Sequence, residues 1–249
     1  MKLSITGVLT SFMFFPILLN AQSLDPDFGN AGTVVTDFDG DYDQAFDGAL
    51  DYAGRVVTMG RIYIDADWHT GVQRLLPDGE YDTSFGNGGL VELFDFALTN
   101  TLAVGPDGKI LIGAGTTGPD GTVDIHLVRL NEDGTMDSGF GDSNGLVLSV
   151  QADIVESCFS LAVQEDGKIL IGGFIGEYMT APHLLIRLDA NGVPDDTFGD
   201  AGVVSLPLML DHEYSSQIIP MADGTVFYLV EGPESNVETG LIIKLDSQG

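Results

Sequence analysis

Beyond a largely apolar N-terminal stretch, apolar positions in this chain come in short runs broken by Gly, Asp and Asn, and the runs recur in a fixed order. Runs of that length between turn residues predict β-strands. Three landmarks carry the recurrence. The first is Asp-x-x-Phe-Gly, with its Phe at Phe28, Phe85, Phe140 and Phe198, spaced 57, 55 and 58 residues apart. The second is a hairpin tip followed by an apolar run, seen in Asp107-Gly108-Lys109-Ile110-Leu111-Ile112-Gly113 and again in Asp166-Gly167-Lys168-Ile169-Leu170-Ile171-Gly172. Looser copies start at Ala53-Gly54-Arg55 and Asp223-Gly224-Thr225. The third is a basic residue plus Leu entering a turn, at Arg74, Arg129, Arg187 and Lys244.

Internal repetition at a fixed period decides the fold before any local feature does. Each unit reads as four strands. In the second these are Leu90–Leu93, a strand through Thr101–Val104, Lys109–Gly113 and His126–Leu130. Asp107-Gly108 suits a two-residue hairpin turn, because Gly accepts positive φ. The expected fold is all-β, with four four-stranded units arranged as a β-propeller or partial propeller. A single such sheet cannot bury both faces, and stacking on its neighbours does so. The alternative is an open β-repeat arc or solenoid.

The motifs Leu-Asp-x-x-Phe-Gly-x-x-Gly, Pro-Asp-Gly-Lys-Ile-Leu-Ile-Gly and Arg-Leu-x-x-Asp-Gly resemble the delta-60 repeat family, uncharacterised β-propeller-like repeats of secreted bacterial proteins. The resemblance spans Leu24 to Gly249 and is strongest in units two and three. Unit one departs at Ala53 and unit four at Thr225. The resemblance implies fold and export, and brings no catalytic residues with it.

Composition fits this picture and narrows the partners. The chain has 249 residues, 33 Gly and only 9 Lys plus Arg. A net charge of -29 repels phosphate backbones, so nucleic acid is not an expected partner. Residues 1–21, from Lys2 through an apolar core to Ala21, read as a secretory signal peptide. The mature domain is then 22–249, secreted, periplasmic or on the cell surface, with no transmembrane segment after cleavage. The one cysteine, Cys158, sits in a strand-like run and is expected in the core.

The chain ends at Gly249 in the turn after Lys244, where the other units continue into Asp-x-x-Phe-Gly. The mature chain opens on that motif, at Asp25 to Gly29. The N-terminal strand is therefore expected to complete the last blade in a four-blade assembly that is closed or nearly closed, with an open arc and two chains making eight blades as the alternatives. A truncated piece of a larger surface protein is the rival explanation.

Most of the conspicuous residues recur with the repeat and are expected to serve it. Arg74, Arg129, Arg187 and Lys244 are expected to pair with Asp82, Asp137, Asp195 and Asp25. Phe28, Phe85, Phe140 and Phe198 are expected between units, each burial contributing about 2 kcal/mol. His69, His126 and His183 are equally spaced, but their offsets from the basic residue differ in parity. They therefore fall on different sheet faces and are not expected to share a metal. Asp37, Asp39, Asp41 and Asp43 alternate around Gly40 and form a candidate Ca²⁺ loop; no other cofactor is expected.

Variable loops on a rigid scaffold are where binding concentrates. The connections Ile62 to Asp67, Thr116 to Val123, Glu177 to Ala181 and Glu231 to Glu238 should share one rim. Tyr63, Trp68 and Tyr178 lie in or beside them and are the candidate binding residues. No nucleophile, phosphate-loop or zinc motif is present. The expected role is a secreted non-enzymatic scaffold binding a protein or glycan through these loops. The alternative is an extracellular hydrolase using a carboxylate pair.

Overall fold

The computed structural model describes residues 24–37, 42–65, 67–93, 98–117, 123–141, 145–148, 156–175, 182–209, 216–234 and 237–249. The chain is an all-β assembly of four propeller blades. The first sheet holds β1 (Tyr42–Leu50), β2 (Val56–Ile64), β3 (Asp67–Leu75) and β4 (Leu90–Leu93). The second holds β5 (Leu98–Val104), β6 (Ile110–Thr117), β7 (Val123–Leu130) and β8 (Leu146–Leu148). The third holds β9 (Glu156–Val163), β10 (Ile169–Ile175), β11 (Pro182–Leu188) and β12 (Val203–Met209). The fourth holds β13 (Ser216–Pro220), β14 (Val226–Glu234) and β15 (Val237–Leu245).

The sheets are cut one strand later than the repeat read from the sequence. Leu90–Leu93 opens the second sequence unit, yet as β4 it pairs antiparallel with β3 of the first sheet. The intervening Asp-x-x-Phe-Gly turn causes this. Asp82 N–H donates to the Arg74 carbonyl at 3.0 Å, and Arg74 N–H donates to the Gly89 carbonyl at 2.9 Å. These bonds fold the chain back onto the strand it has just left.

The hairpin tips are also longer than two residues. Gly105 N–H bonds the Lys109 carbonyl and Gly108 N–H bonds the Gly105 carbonyl, so the tip is a turn closed by Gly108 at φ 78°. That is the three-residue form of hairpin, which places Gly in the left-handed region after a type I turn. Asp107 Oδ1 accepts from Lys109 N–H at 3.1 Å and holds the loop in shape.

Apolar cores fill the three spaces between successive sheets. Between the first and second lie Val57, Met59, Val72 and Phe85 against Ile110, Ile112, Val128 and Leu130. Leu111 and Leu127 point the other way, into the next core with Phe140, Ile169 and Ile171. The continuous apolar run of β6 is thus buried on both faces. The third core joins Leu170, Leu185 and Phe198 to Val226, Tyr228 and Val230. The inner strands pack in chain order, β1 on β5, β5 on β9 and β9 on β13, while among the described residues β13 and β1 make no comparable contact.

Candidate functional site

Three Asp residues organise the joints between blades. Arg74 Nε donates to Asp82 Oδ2 at 2.8 Å, Arg129 Nε to Asp137 Oδ2 at 2.7 Å and Arg187 Nε to Asp195 Oδ2 at 2.8 Å. Each guanidinium also lies over its own unit's Phe ring, Arg74 on Phe85 at 4.6 Å and Arg129 and Arg187 on Phe140 and Phe198 at 4.2 Å. Each then reaches forward to a carbonyl in the turn of the next blade, at Glu132, Ala190 or Ser247. One planar cation therefore ties a turn, a core aromatic and the neighbouring blade together. A Lys, with a single donor centre, cannot make that set of contacts.

The cations at the hairpin tips converge on the same carboxylates. Lys109 Nζ stands 2.7 Å from Asp137 Oδ2, Lys168 Nζ 3.1 Å from Asp195 Oδ2 and Arg55 Nη1 3.4 Å from Asp82 Oδ2. Sequence reasoning placed these residues in the repeat without finding their partner. The signal was a constant separation of 27 or 28 residues between tip cation and Asp. Lys109, aided by Arg129 and the Gly139 N–H, holds the Asp137 carboxyl down at about 2 against the upward push of burial. Burial pushes Asp195 up, but bonds from Thr197 and Lys168 and the charge of Arg187 outweigh it and hold it far below the carboxylate range.

Seven of the eight basic residues after Lys2 occupy the two repeat positions. Arg61 is the exception. It lies on β2 with its guanidinium 4.7 Å above the ring of Trp68, and its Nε is buried with no hydrogen-bond partner among the described residues. Tyr63 packs on Trp68 at 5.0 Å between ring centroids, and Tyr42 meets it edge-on at 6.1 Å. Strand register explains the cluster. Tyr63 pairs with both Trp68 and Tyr42, so all three rings project from one face of the first sheet. They stand at the rim where β2 turns into β3. Tyr42 is exposed, while Trp68 and Tyr63 are half-buried. The sequence pointed to Tyr63 and Trp68, but not to Tyr42 or Arg61, whose contribution depends on cross-strand pairing.

The other candidates fall elsewhere. Tyr178, Asp39 and Asp41 lie outside the described residues. Asp37 and Asp43 flank that gap, and no group of three or more metal-ligating side chains forms among the described residues. His69, His126 and His183 are buried in three different sheets. Cys158 is buried in the core between the second and third sheets, where burial pushes its thiol up to about 12. Lys244 lies over Phe227, and Asp25 Oδ1 accepts from the Asp27 N–H at 3.0 Å. Among the described residues no helix is long and apolar enough to cross a membrane.

Residues 105–140 and 164–198 match a family described as a domain of unknown function (DUF5122) β-propeller. Each match runs from a hairpin tip to the Phe that receives the Arg. No curated protein matches the sequence. Among solved structures, the fold is similar to an α-L-arabinofuranosidase of Clostridium thermocellum, at 11% identity and a TM-score of 0.47 over 82% of this chain and 68% of that one. It is also similar to a GH43 β-1,3-galactosidase, at 14% identity and a TM-score of 0.48 over 88% of this chain and 47% of that one. A mannose phosphorylase of Leishmania mexicana is similar at 15% identity and a TM-score of 0.42, over 84% and 66%. At these identities the likeness concerns the path of the chain.

Proposed function

We propose that this chain is an exported, non-enzymatic scaffold that binds a glycan at the rim of its first blade. The observation that carries the reading is the cluster of Tyr42, Tyr63 and Trp68 with Arg61 laid over the Trp ring. Aromatic rings with one wet edge offer flat apolar contact to the C–H faces of sugars. Arg61 adds donors suited to hydroxyl or carboxylate groups, and the blade joints do not use it. The remaining basic residues at the joints fasten architecture. Asp82, Asp137 and Asp195 are displaced downward by bonds that hold turns. A glycosidase general acid requires the opposite displacement, so these three serve the joints. Export rests on the signal-like residues 1–21 and the resemblance to delta-60 repeats.

A glycan array probed with the purified protein tests this. The expected result is retention on a coherent group of oligosaccharides, lost in Trp68→Ala and weakened in Arg61→Met. Retention unaffected by both substitutions places binding elsewhere, and an array without signal refutes the reading.

A further inference from the structure

The two outer faces of the arc carry opposite halves of the joint found between every pair of blades. In two of the three interior joints the Gly after the Phe donates to the turn of the next blade: Gly86 N–H to the Asp133 carbonyl at 2.8 Å and Gly199 N–H to the Gln248 carbonyl at 2.7 Å. Gly29 N–H does the same to the Asp78 carbonyl of the first blade, at 2.7 Å. Segment 24–36 thus sits on the first sheet as an outer strand and its turn sit on the following blade, and among the described residues no blade body stands behind it. What remains there is a cleft of about 490 Å³ lined by Phe28, Val56, Thr58, Gln73 and Leu75 among others, and no residue of the fourth sheet is among its described lining residues. In the second sheet the paired positions equivalent to these, Ile110 with Leu130 and Ile112 with Val128, receive Val57, Met59 and Val72 of the preceding blade. The cleft is the unfilled socket of such a joint.

The fourth sheet carries the matching knobs. Counting from the hairpin tips and the basic residues, Phe227, Leu229 and Ile242 hold the positions of Val57, Met59 and Val72. Register places them together on one face, with Phe227 opposite Lys244 and Leu229 opposite Ile242. That face is open: Ile242 is 71% exposed and Ile219, which pairs with Phe227 from β13, is 40% exposed. Charge also matches. Lys244 stands where Arg74, Arg129 and Arg187 stand in the repeat. Asp25 is held in the posture of Asp82, Asp137 and Asp195, its Oδ1 accepting the N–H two residues on, as theirs do.

We propose that the fourth blade of one copy docks on segment 24–36 and the first blade of a second copy, with Lys244 paired to Asp25 across the contact. Phe227, Leu229 and Ile242 fill the cleft, and segment 33–36 continues the sheet beyond β15. Such a head-to-tail contact is heterologous, so it closes into a ring of whole copies or propagates as a filament. Among the described residues β13 and β1 do not pack together as successive inner strands do, so the cleft is not filled by the chain's own fourth blade there.

The test is disulfide trapping in the purified protein carrying both Asp25→Cys and Lys244→Cys, with the buried Cys158 as an internal control. Mild oxidation is expected to give covalent species of two or more chain masses, reversed by reductant. A disulfide confined to one chain mass shows that the ends meet within a copy and overturns the proposal, as does the absence of any disulfide. In the otherwise unaltered protein, sedimentation velocity is expected to show association that Ile242→Glu weakens about ten-fold or more, as for a central apolar contact. A variant that keeps its far-UV spectrum and associates as before counts against the proposed face.

Discussion

Replacing Arg74 by Met should destabilise the protein more than replacing Arg129 by Met, although the two occupy the same place in the repeat. Both substitutions retain apolar contact with a Phe, and both lose one bond to a carbonyl of the next blade, so those effects largely cancel. The difference lies in what is left beside the Asp. Without Arg74, the Asp82 carboxylate, 7% exposed, keeps the Ser84 hydroxyl at 2.6 Å and the Ser84 N–H at 3.0 Å, and its nearest cation is Arg55 at 3.4 Å. Stranding a buried carboxylate in this way costs about 3–5 kcal/mol. Without Arg129, Asp137 keeps Lys109 at 2.7 Å, so the loss approaches that of one charge-assisted hydrogen bond, about 2 kcal/mol. Urea unfolding followed by far-UV circular dichroism gives both numbers, provided the slopes agree with the unaltered protein. Equal costs, or a cost below about 1 kcal/mol for Arg74→Met, would refute the view that tip and strand cations share each carboxylate.

Three other outcomes follow from the joints and the core. Asp137 takes up its proton near pH 2 when folded and near 3.8 when unfolded, so its contribution is complete above the unfolded value and disappears as pH falls through the folded one. Acid unfolding of Asp137→Asn should lack that component, while an unchanged acid limb would contradict the ion pairs. Gly134, at φ 84°, lies so that an added Cβ would fall 2.8 Å from the Gly86 nitrogen and 3.1 Å from the Phe85 ring. Gly134→Ala should therefore cost more than the roughly 1 kcal/mol typical of a strained glycine site, measured by the same urea titration. The Cys158 thiol should stay unreactive toward a thiol reagent in the native protein and react promptly in urea, whereas prompt native reaction would place it outside the core.

Much of the architecture was legible because it repeats. Hairpin tips, apolar runs and Asp-x-x-Phe-Gly turns are local signals, and four copies separate them from accident. The boundary between sheets was not legible. Whether Leu90–Leu93 belongs to the blade before or after it depends on the turn bonds at Asp82 and Arg74, which no periodicity records. The joint residues were found by recurrence, but the convergence of two cations on one carboxylate involves side chains far apart in the chain. At the rim, Trp68 and Tyr63 were visible as aromatics near a variable loop. Tyr42 and Arg61 join them only through the register of β1, β2 and β3, and a bulge between Ala45 and Asp47 shifts that register partway along β1.

Trp68 is the only tryptophan in the chain, so its emission reports on the proposed site without a label. A titration of the purified protein with oligosaccharides, followed by that emission, tests the central claim most directly. The account predicts a saturable change in intensity or wavelength with one class of glycan, abolished in Tyr63→Ala while the fold is kept. Emission that stays constant across a glycan panel that the protein nonetheless binds would contradict it, because the sugar would then lie away from the rim of the first blade.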